Sequence, residues 1–236
     1  MTDAAHNASA EELARFGKLA SRWWDPDGES RPLHDLNPAR VAWIAERVAL
    51  PGARVADVGC GGGILSEALA RAGAQVAAID LAAPLVDIAR LHLHESGLHV
   101  DYRLCSSREL ATREPCVFDA VCCMELIEHV PDPAALVADL AALAKPGGRV
   151  FLSTLNRTPA AFALAIVGAE YLARLLPRGT HHYAQFLKPS ELAALLREAG
   201  LELDELAGLA YNPLTRKVSI TSRVDVNYLV CARKPA

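Results

Sequence analysis

No stretch of this chain reaches about 18 uninterrupted apolar residues, so no helix is expected to cross a bilayer. A basic surplus is missing too. Twenty-four Lys and Arg stand against 28 Asp and Glu, a formal charge of −4, which argues against a nucleic-acid protein and its basic face. None of the six cysteines (60, 105, 116, 122, 123 and 231) forms Cys-x-x-Cys, so buried, reduced thiols in a cytoplasmic protein are expected. Met1 to Glu12 is polar and acidic without an apolar segment, so no signal peptide is expected. Internal repeats and low-complexity tracts are absent as well. What is present is 236 residues, 52% of them hydrophobic, enough for one α/β domain with appendages.

The most informative run is Val55-Ala-Asp-Val-Gly-Cys-Gly-Gly-Gly-Ile64. A short strand delivers Asp57 into a turn carrying Gly59, Gly61, Gly62 and Gly63, and a helix follows. Glycines let backbone bend sharply and approach a ligand closely. A dinucleotide binder would want G-x-G-x-x-G/A, with a small third residue beneath the pyrophosphate. Here Ile64 occupies that third position and Gly63 comes one place early, giving the Asp-x-Gly-x-Gly-x-Gly pattern of class I S-adenosylmethionine (SAM) methyltransferases. Gln75 to Ile79 reads as a second strand ending at Asp80, an acid placed to accept ribose hydroxyls.

Around this run the chain alternates. Strands are predicted at 54–58, 75–79, 99–104, 117–123 and 149–154, with helices at 62–72, 84–96, 107–111 and 133–144. A helix at about 187–199 and strands at 201–206 and 228–232 follow. The pattern predicts a Rossmann-like, seven-stranded, mostly parallel sheet with helices on both faces. Ligand then binds at the carboxyl ends of the strands. Before it, Ser9 and Glu12 read as a capping box for a helix over 10–22, and Pro38 as the first turn of a helix carrying Arg40, Trp43 and Ile44. Residues 1–50 are thus expected to form a helical cap or lid, and residues 51–236 the catalytic domain with an apolar insertion at about 158–183. Trp23 and Trp24 would either close over the site or pack the cap onto the sheet.

After the fourth strand comes Met124-Glu-Leu-Ile-Glu-His-Val-Pro-Asp-Pro133. Glu125, Glu128 and His129 stand at i, i+3 and i+4, so a helical turn would set them side by side. Two carboxylates and an imidazole suit a divalent cation, with oxygen ligation favouring Mg²⁺ or Mn²⁺ and the imidazole admitting Zn²⁺. Alternatively His129 lines the pocket as a polar group or general base.

Several longer segments narrow the reading. Phe16-Gly-Lys-Leu-Ala-Ser-Arg-Trp-Trp-Asp25, Leu33-His-Asp-Leu-Asn-Pro-Ala-Arg40, Pro177-Arg-Gly-Thr-His181 and Asp225-Val-Asn-Tyr228 join the glycine turn and the Met124–Pro133 run. Together they resemble the ubiquinone-biosynthesis O-methyltransferases over about residues 13 to 230. The resemblance implies SAM-dependent O-methylation of ring hydroxyls on polyprenylated phenol and catechol intermediates. It implies SAM contacts at Arg40, Asp57, Gly59, Gly61, Asp80 and Met124, and a divalent cation such as Mg²⁺ on Glu125, Glu128 and His129. Glu128 and His129 are the expected catalytic groups, and a metal-ligated His129 could not also be the base. The chain departs from its relatives at Cys105-Ser-Ser-Arg-Glu109, where they carry a more acidic stretch near the adenine.

Pro159 to Leu176 carries an apolar stripe (Phe162, Ile166, Ala169, Ala173, Leu176), with Arg174, Arg178, His181 and His182 near its end. Residues 159–182 are expected to lie on a membrane surface, placing the protein in the cytoplasm, peripheral on the inner face of the plasma membrane. A buried hairpin or a dimer contact is the alternative. No nucleic acid is expected as partner, and a quinone-biosynthesis complex is an expected one. Methylation of another small acceptor and a non-catalytic scaffold role are the competing functions.

Overall fold

The computed structural model describes residues 2–3, 7–162 and 183–236. Strand residues alternate between two helix-covered faces, as the period of two demands. In the central strand β6 (Phe118–Met124), Val121 and Cys123 enter one core and Ala120, Cys122 and Met124 the other. The first core is closed by α5 (Ser107–Arg113), α6 (Pro133–Leu143) and α7 (Pro189–Glu198) through Leu110, Leu136, Leu140, Leu192 and Leu196, all fully buried. The second is closed by α2 (Arg31–Ala45), α3 (Ile64–Arg71) and α4 (Ala83–Ser96) through Trp43, Ile44, Leu69 and Val86. Each such buried side chain contributes about 1.5–3 kcal/mol of transfer free energy.

The sheet runs β5-β4-β3-β6-β7-β10-β8-β9. β3 (Arg54–Val58), β4 (Gln75–Asp80), β5 (Val100–Leu104), β6 and β7 (Ala144–Leu155) are parallel. β10 (Asn227–Arg233) lies antiparallel between β7 and β8 (Glu202–Asn212), and β9 (Lys217–Thr221) pairs antiparallel with β8. Strand order reverses between β3 and β6, so a crevice opens at their carboxyl ends. That is where Asp57, Asp80 and Met124 stand.

Three departures from the sequence reading have local causes. The sheet has eight strands rather than seven. The additional strand is Lys217-Val-Ser-Ile-Thr221, which alternates in type as a strand does. In the structure Asn212 Oδ1 accepts from Leu214 and Thr215 N–H and closes a hairpin there. The second departure is α2, which starts at Arg31 with Pro32 in its first turn and carries Pro38 inside it. Burial of Leu36, Arg40, Trp43 and Ile44 along one stripe outweighs the internal proline. Third, the predicted helix over 10–22 is α1 (Ala10–Gly17) followed by a 3₁₀ turn, Ala20–Arg22. Ser9 makes no side-chain cap there, and the Glu12 carboxylate, which would complete the box, goes to Arg15 and His129. The reciprocal capping box forms instead at Ser106 and Glu109 on α5. Ahead of α1, β1 (Thr2–Asp3) and β2 (Ala8–Ser9) form a short antiparallel pair.

All six cysteines are free, and five are buried; Cys116 is exposed, contrary to the expectation for the full set. No helix among the described residues is long and apolar enough to cross a membrane. Of the segment expected to lie on a membrane, residues 163–182 lie outside the described residues.

Candidate active site

A cleft of about 750 Å³ runs along the carboxyl ends of β3, β4 and β6. Its floor is the glycine turn. Gly59, Gly61 and Gly63 all have positive φ (74°, 54° and 92°), the region where a side chain is strained. A Cβ on Gly61 or Gly62 would lie 2.5 or 2.3 Å from the Trp23 ring. Trp24 Nε1 donates to Gly62 O at 2.9 Å. The paired tryptophans therefore sit directly on the turn, and the missing side chains at 61 and 62 are what seats them.

Two acids shape this end. The Asp80 carboxylate accepts from Gly61 N–H at 2.9 Å and Ala82 N–H at 2.8 Å, which fixes it at the end of β4. Burial raises its pKa, opposed by those backbone donors. Asp57 is buried and accepts from Ser66 Oγ at 2.5 Å. Burial pushes its carboxyl up to about 6, and the neighbouring Asp80 charge pushes in the same direction. Cys105, Ser106 and Ser107 line the cleft beyond β5, where the chain departs from its relatives.

The Met124–Pro133 run crosses the cleft. Glu125 adopts φ of 53°, unusual for a non-glycine residue and a mark of local strain. Its N–H donates to Ser153 O at 3.0 Å, and its carboxylate accepts from Ser153 Oγ at 2.9 Å. Arg40, 4% exposed, reaches the same carboxylate oxygen at 2.5 Å. Leu126 packs over Gly59, where a Cβ would approach it to 2.7 Å. Glu128 is buried. Thr154 Oγ1 donates to its Oε2 at 2.9 Å, while Oε1 has no hydrogen-bond partner. Burial first, then the Glu125 charge, raises the Glu128 carboxyl to about 7. His129 turns the other way, its Nδ1 3.0 Å from Glu12 Oε2 and its ring edge-on to Phe16 with centroids 5.0 Å apart.

Arg40, Asp57, Gly59, Gly61, Asp80, Met124, Glu125 and His129 thus border one cleft, and Glu128 lies just behind it. What does not come together is a cation cage. Glu125 is held by Arg40 and Ser153, Glu128 by Thr154 and His129 by Glu12. Among the described residues no three His, Cys, Asp or Glu groups gather to hold a metal ion. As placed, the residues do not fit one.

Sequence reasoning missed the N-terminal contributors. Asn7, Glu12, Leu13 and Phe16 line the cleft from above. Asn7 Nδ2 donates to Asp132 O at 2.7 Å while its Oδ1 accepts from Asp132 N–H at 2.8 Å. Across the cleft, Tyr211 OH donates to Asp35 Oδ2 at 2.7 Å, and Arg216 bridges Asp35 and Asp27. These clamps join residues more than a hundred positions apart, and no local pattern announces them.

Known proteins resemble this chain in sequence and in fold. A family model described as a methyltransferase domain matches residues 30–206. The ubiquinone biosynthesis O-methyltransferase of Xanthomonas campestris pv. campestris (strain B100) is 62% identical over 229 residues, covering 97% of this chain and 96% of that protein. The protein of the same name from Xanthomonas oryzae pv. oryzae (strain PXO99A) is 59% identical over 232 residues, covering 98% and 97%. Among solved structures, SAM-bound magnesium protoporphyrin IX methyltransferase from Synechocystis PCC 6803 superposes with a TM-score of 0.64 at 21% identity, covering 97% and 99%. A SAM-dependent methyltransferase from Aquifex aeolicus gives 0.61 at 18% identity, covering 91% and 97%, so both share the fold. With a strand–glycine–helix cleft of the methyltransferase kind and relatives this similar over nearly its whole length, the chain belongs to the ubiquinone biosynthesis O-methyltransferases, SAM-dependent enzymes of the class I fold.

Proposed function

We propose that this protein methylates ring hydroxyls of polyprenylated phenol and catechol intermediates, as the name of its relatives suggests. One observation carries the reading. One cleft is lined by the glycine turn and Asp80, by Glu125 and His129, and by the apolar Leu155, Leu209 and Val226. A nucleoside with a charged methionine tail suits the first part, a phenolic ring the second, and the start of an apolar tail the third.

SAM, when bound, supplies an electrophilic methyl group. Gly59 and Gly61 let backbone approach it, Asp80 accepts from its ribose hydroxyls, and Arg40 offers a guanidinium fork for its carboxylate. Asp57 stiffens the turn through Ser66. The acceptor hydroxyl needs a base, because a phenol of pKa about 10 is ionised only to about one part in a thousand at neutral pH. His129 takes that proton as general base. Asp80→Ala is expected to weaken SAM binding by about 1.5–3 kcal/mol, read by calorimetry; unchanged affinity would refute its role.

The decisive assay is transfer of labelled methyl from SAM to a short-chain demethylubiquinol. No transfer would refute the substrate class. A divalent cation is a second reading, favoured by the unpartnered Glu128 Oε1 alone. Full turnover after EDTA treatment would dismiss it; loss restored by Mg²⁺ would require Glu125 and His129 to leave their present partners.

Peripheral membrane contact belongs to the same proposal. The apolar stripe of 159–182 supports it, as does Phe162, 43% exposed at the start of that segment. Binding to anionic liposomes that weakens with salt is expected, and its absence would remove the inner-membrane location and any membrane-bound complex.

A further inference from the structure

The N-terminal helix ends its most specific contact not on the sheet but on the His129 ring. Glu12 Oε2 lies 3.0 Å from His129 Nδ1, with side chains 14% and 8% exposed, so the contact is sheltered from water. Arg15, one turn along α1, meets the same carboxylate oxygen. Phe16 packs edge-on against the imidazole. A second clamp fixes the same loop, where the Asn7 carboxamide exchanges two hydrogen bonds with the backbone of Asp132. Asp132 itself caps α6 through Ala135 N–H at 3.0 Å. The strap carrying Glu12 is thereby tied three residues from His129, on a rigid helix terminus.

We infer that Glu12 is a positioning residue for the His129 base. The inference rests on the reading of His129 given above. A carboxylate at Nδ1 makes that nitrogen the proton-bearing one and leaves the lone pair on Nε2. The acceptor O–H bond breaks, its proton passes to Nε2, and the oxygen keeps the electron pair for its new bond to the methyl carbon. With SAM bound, the methyl–sulfur bond would break in the same displacement, the sulfur keeping that pair and leaving as the neutral thioether S-adenosylhomocysteine. The imidazolium then lies against the Glu12 carboxylate, which stabilises the charge formed and later releases it as the proton leaves to solvent. Arg15 holds Glu12 in place. Because Glu12 belongs to the strap, the base is fully oriented only when α1 is docked over the cleft.

Acceptor acidity separates this role from a structural one. A base matters for an ordinary catechol, and much less for a nitro-substituted catechol whose hydroxyl is already ionised at assay pH. With the ordinary catechol, Glu12→Gln is expected to lower kcat on the order of 100-fold, with KM for SAM unchanged. With the nitrocatechol the loss should shrink to a few-fold, and Glu12→Asp should recover part of the activity on the ordinary acceptor. His129→Asn should show the same acceptor pattern, and adding Glu12→Gln to it should cost little more, as groups acting as a unit do. Equal losses on both acceptors, or none, would overturn the role of Glu12 while leaving the His129→Asn pattern intact. If His129→Asn is itself indifferent to acceptor acidity, the base reading fails, and the inference with it.

Discussion

The two ends of the cleft are built in different ways. The donor end is backbone: three glycines with positive φ, two strand-end acids, and N–H groups that hold Asp80 in place. All of it comes from residues 57 to 82 on two adjacent parallel strands. The acceptor end is side chain: Glu12 on His129, Asn7 on Asp132, Tyr211 and Arg216 on Asp35. Its parts come from opposite ends of the chain. A backbone site tolerates little change in its own residues and takes only packing and one guanidinium from distant ones, here Trp23, Trp24, Leu126 and Arg40. A side-chain site can be retuned by single substitutions and fails when any strap is released.

The largest expected effect comes from breaking the backbone end. A Cβ at Gly63 would meet the Tyr102 hydroxyl at 2.1 Å, and φ is 92°. Gly63→Ala is expected to destabilise the fold by about 3 kcal/mol or more, measured by denaturant unfolding. A loss under about 0.5 kcal/mol, the size of an ordinary surface change, would show that the turn can relax.

Next in size is a charge effect at the same end. Asp57 is raised from 3.8 to about 6 in the fold, so the native state holds the extra proton between those values. Stability contributed by this group is therefore present at low pH and falls as pH rises through that window, by about 3 kcal/mol in all. Asp57→Asn keeps an acceptor for Ser66 and should flatten the melting profile between pH 4 and 6. Asp80 and Glu128 are raised as well, so part of the slope should remain; a slope wholly unchanged would mean that Asp57 does not titrate there.

Smallest is the release of one acceptor-side clamp. Arg216 is well exposed and Asp35 is not, so Arg216→Ala should change stability little. Its clearer signature should be a raised acceptor KM with SAM affinity unchanged. A shift in SAM affinity instead would blur the division between the two ends.

Legibility in the sequence follows the same division. Asp57, Gly59, Gly61 and Asp80 could be placed together because local conformation demands those residue types at that spacing. The alternating strands gave the parallel sheet for the same reason. Glu12 was misread as a cap partner for Ser9, since nothing within four residues reveals a histidine 117 positions away. Arg40, expected at SAM, does line the cleft, and its pairing with Glu125 85 positions away is the part that no local pattern reveals. The run Glu125 to His129 suggested one face of a helix. A positive φ at Glu125 and a 3₁₀ turn at Ile127–His129 scatter the three side chains instead. Strand β9 was not predicted, because its five residues pair only through the hairpin closed by Asn212.

Removing residues 1–17 and measuring SAM affinity and methyl transfer on the same preparation tests the division most directly. That segment carries Asn7, Glu12 and Phe16 but spares the tryptophans on the glycine turn. The expected result is a folded protein that binds SAM within a few-fold of the full chain, while transfer to a short-chain demethylubiquinol drops on the order of 100-fold or more, the range of a misplaced general base. Transfer that survives the truncation, or SAM binding that collapses along with it, would contradict an acceptor end assembled by the N-terminal strap on an independent donor end.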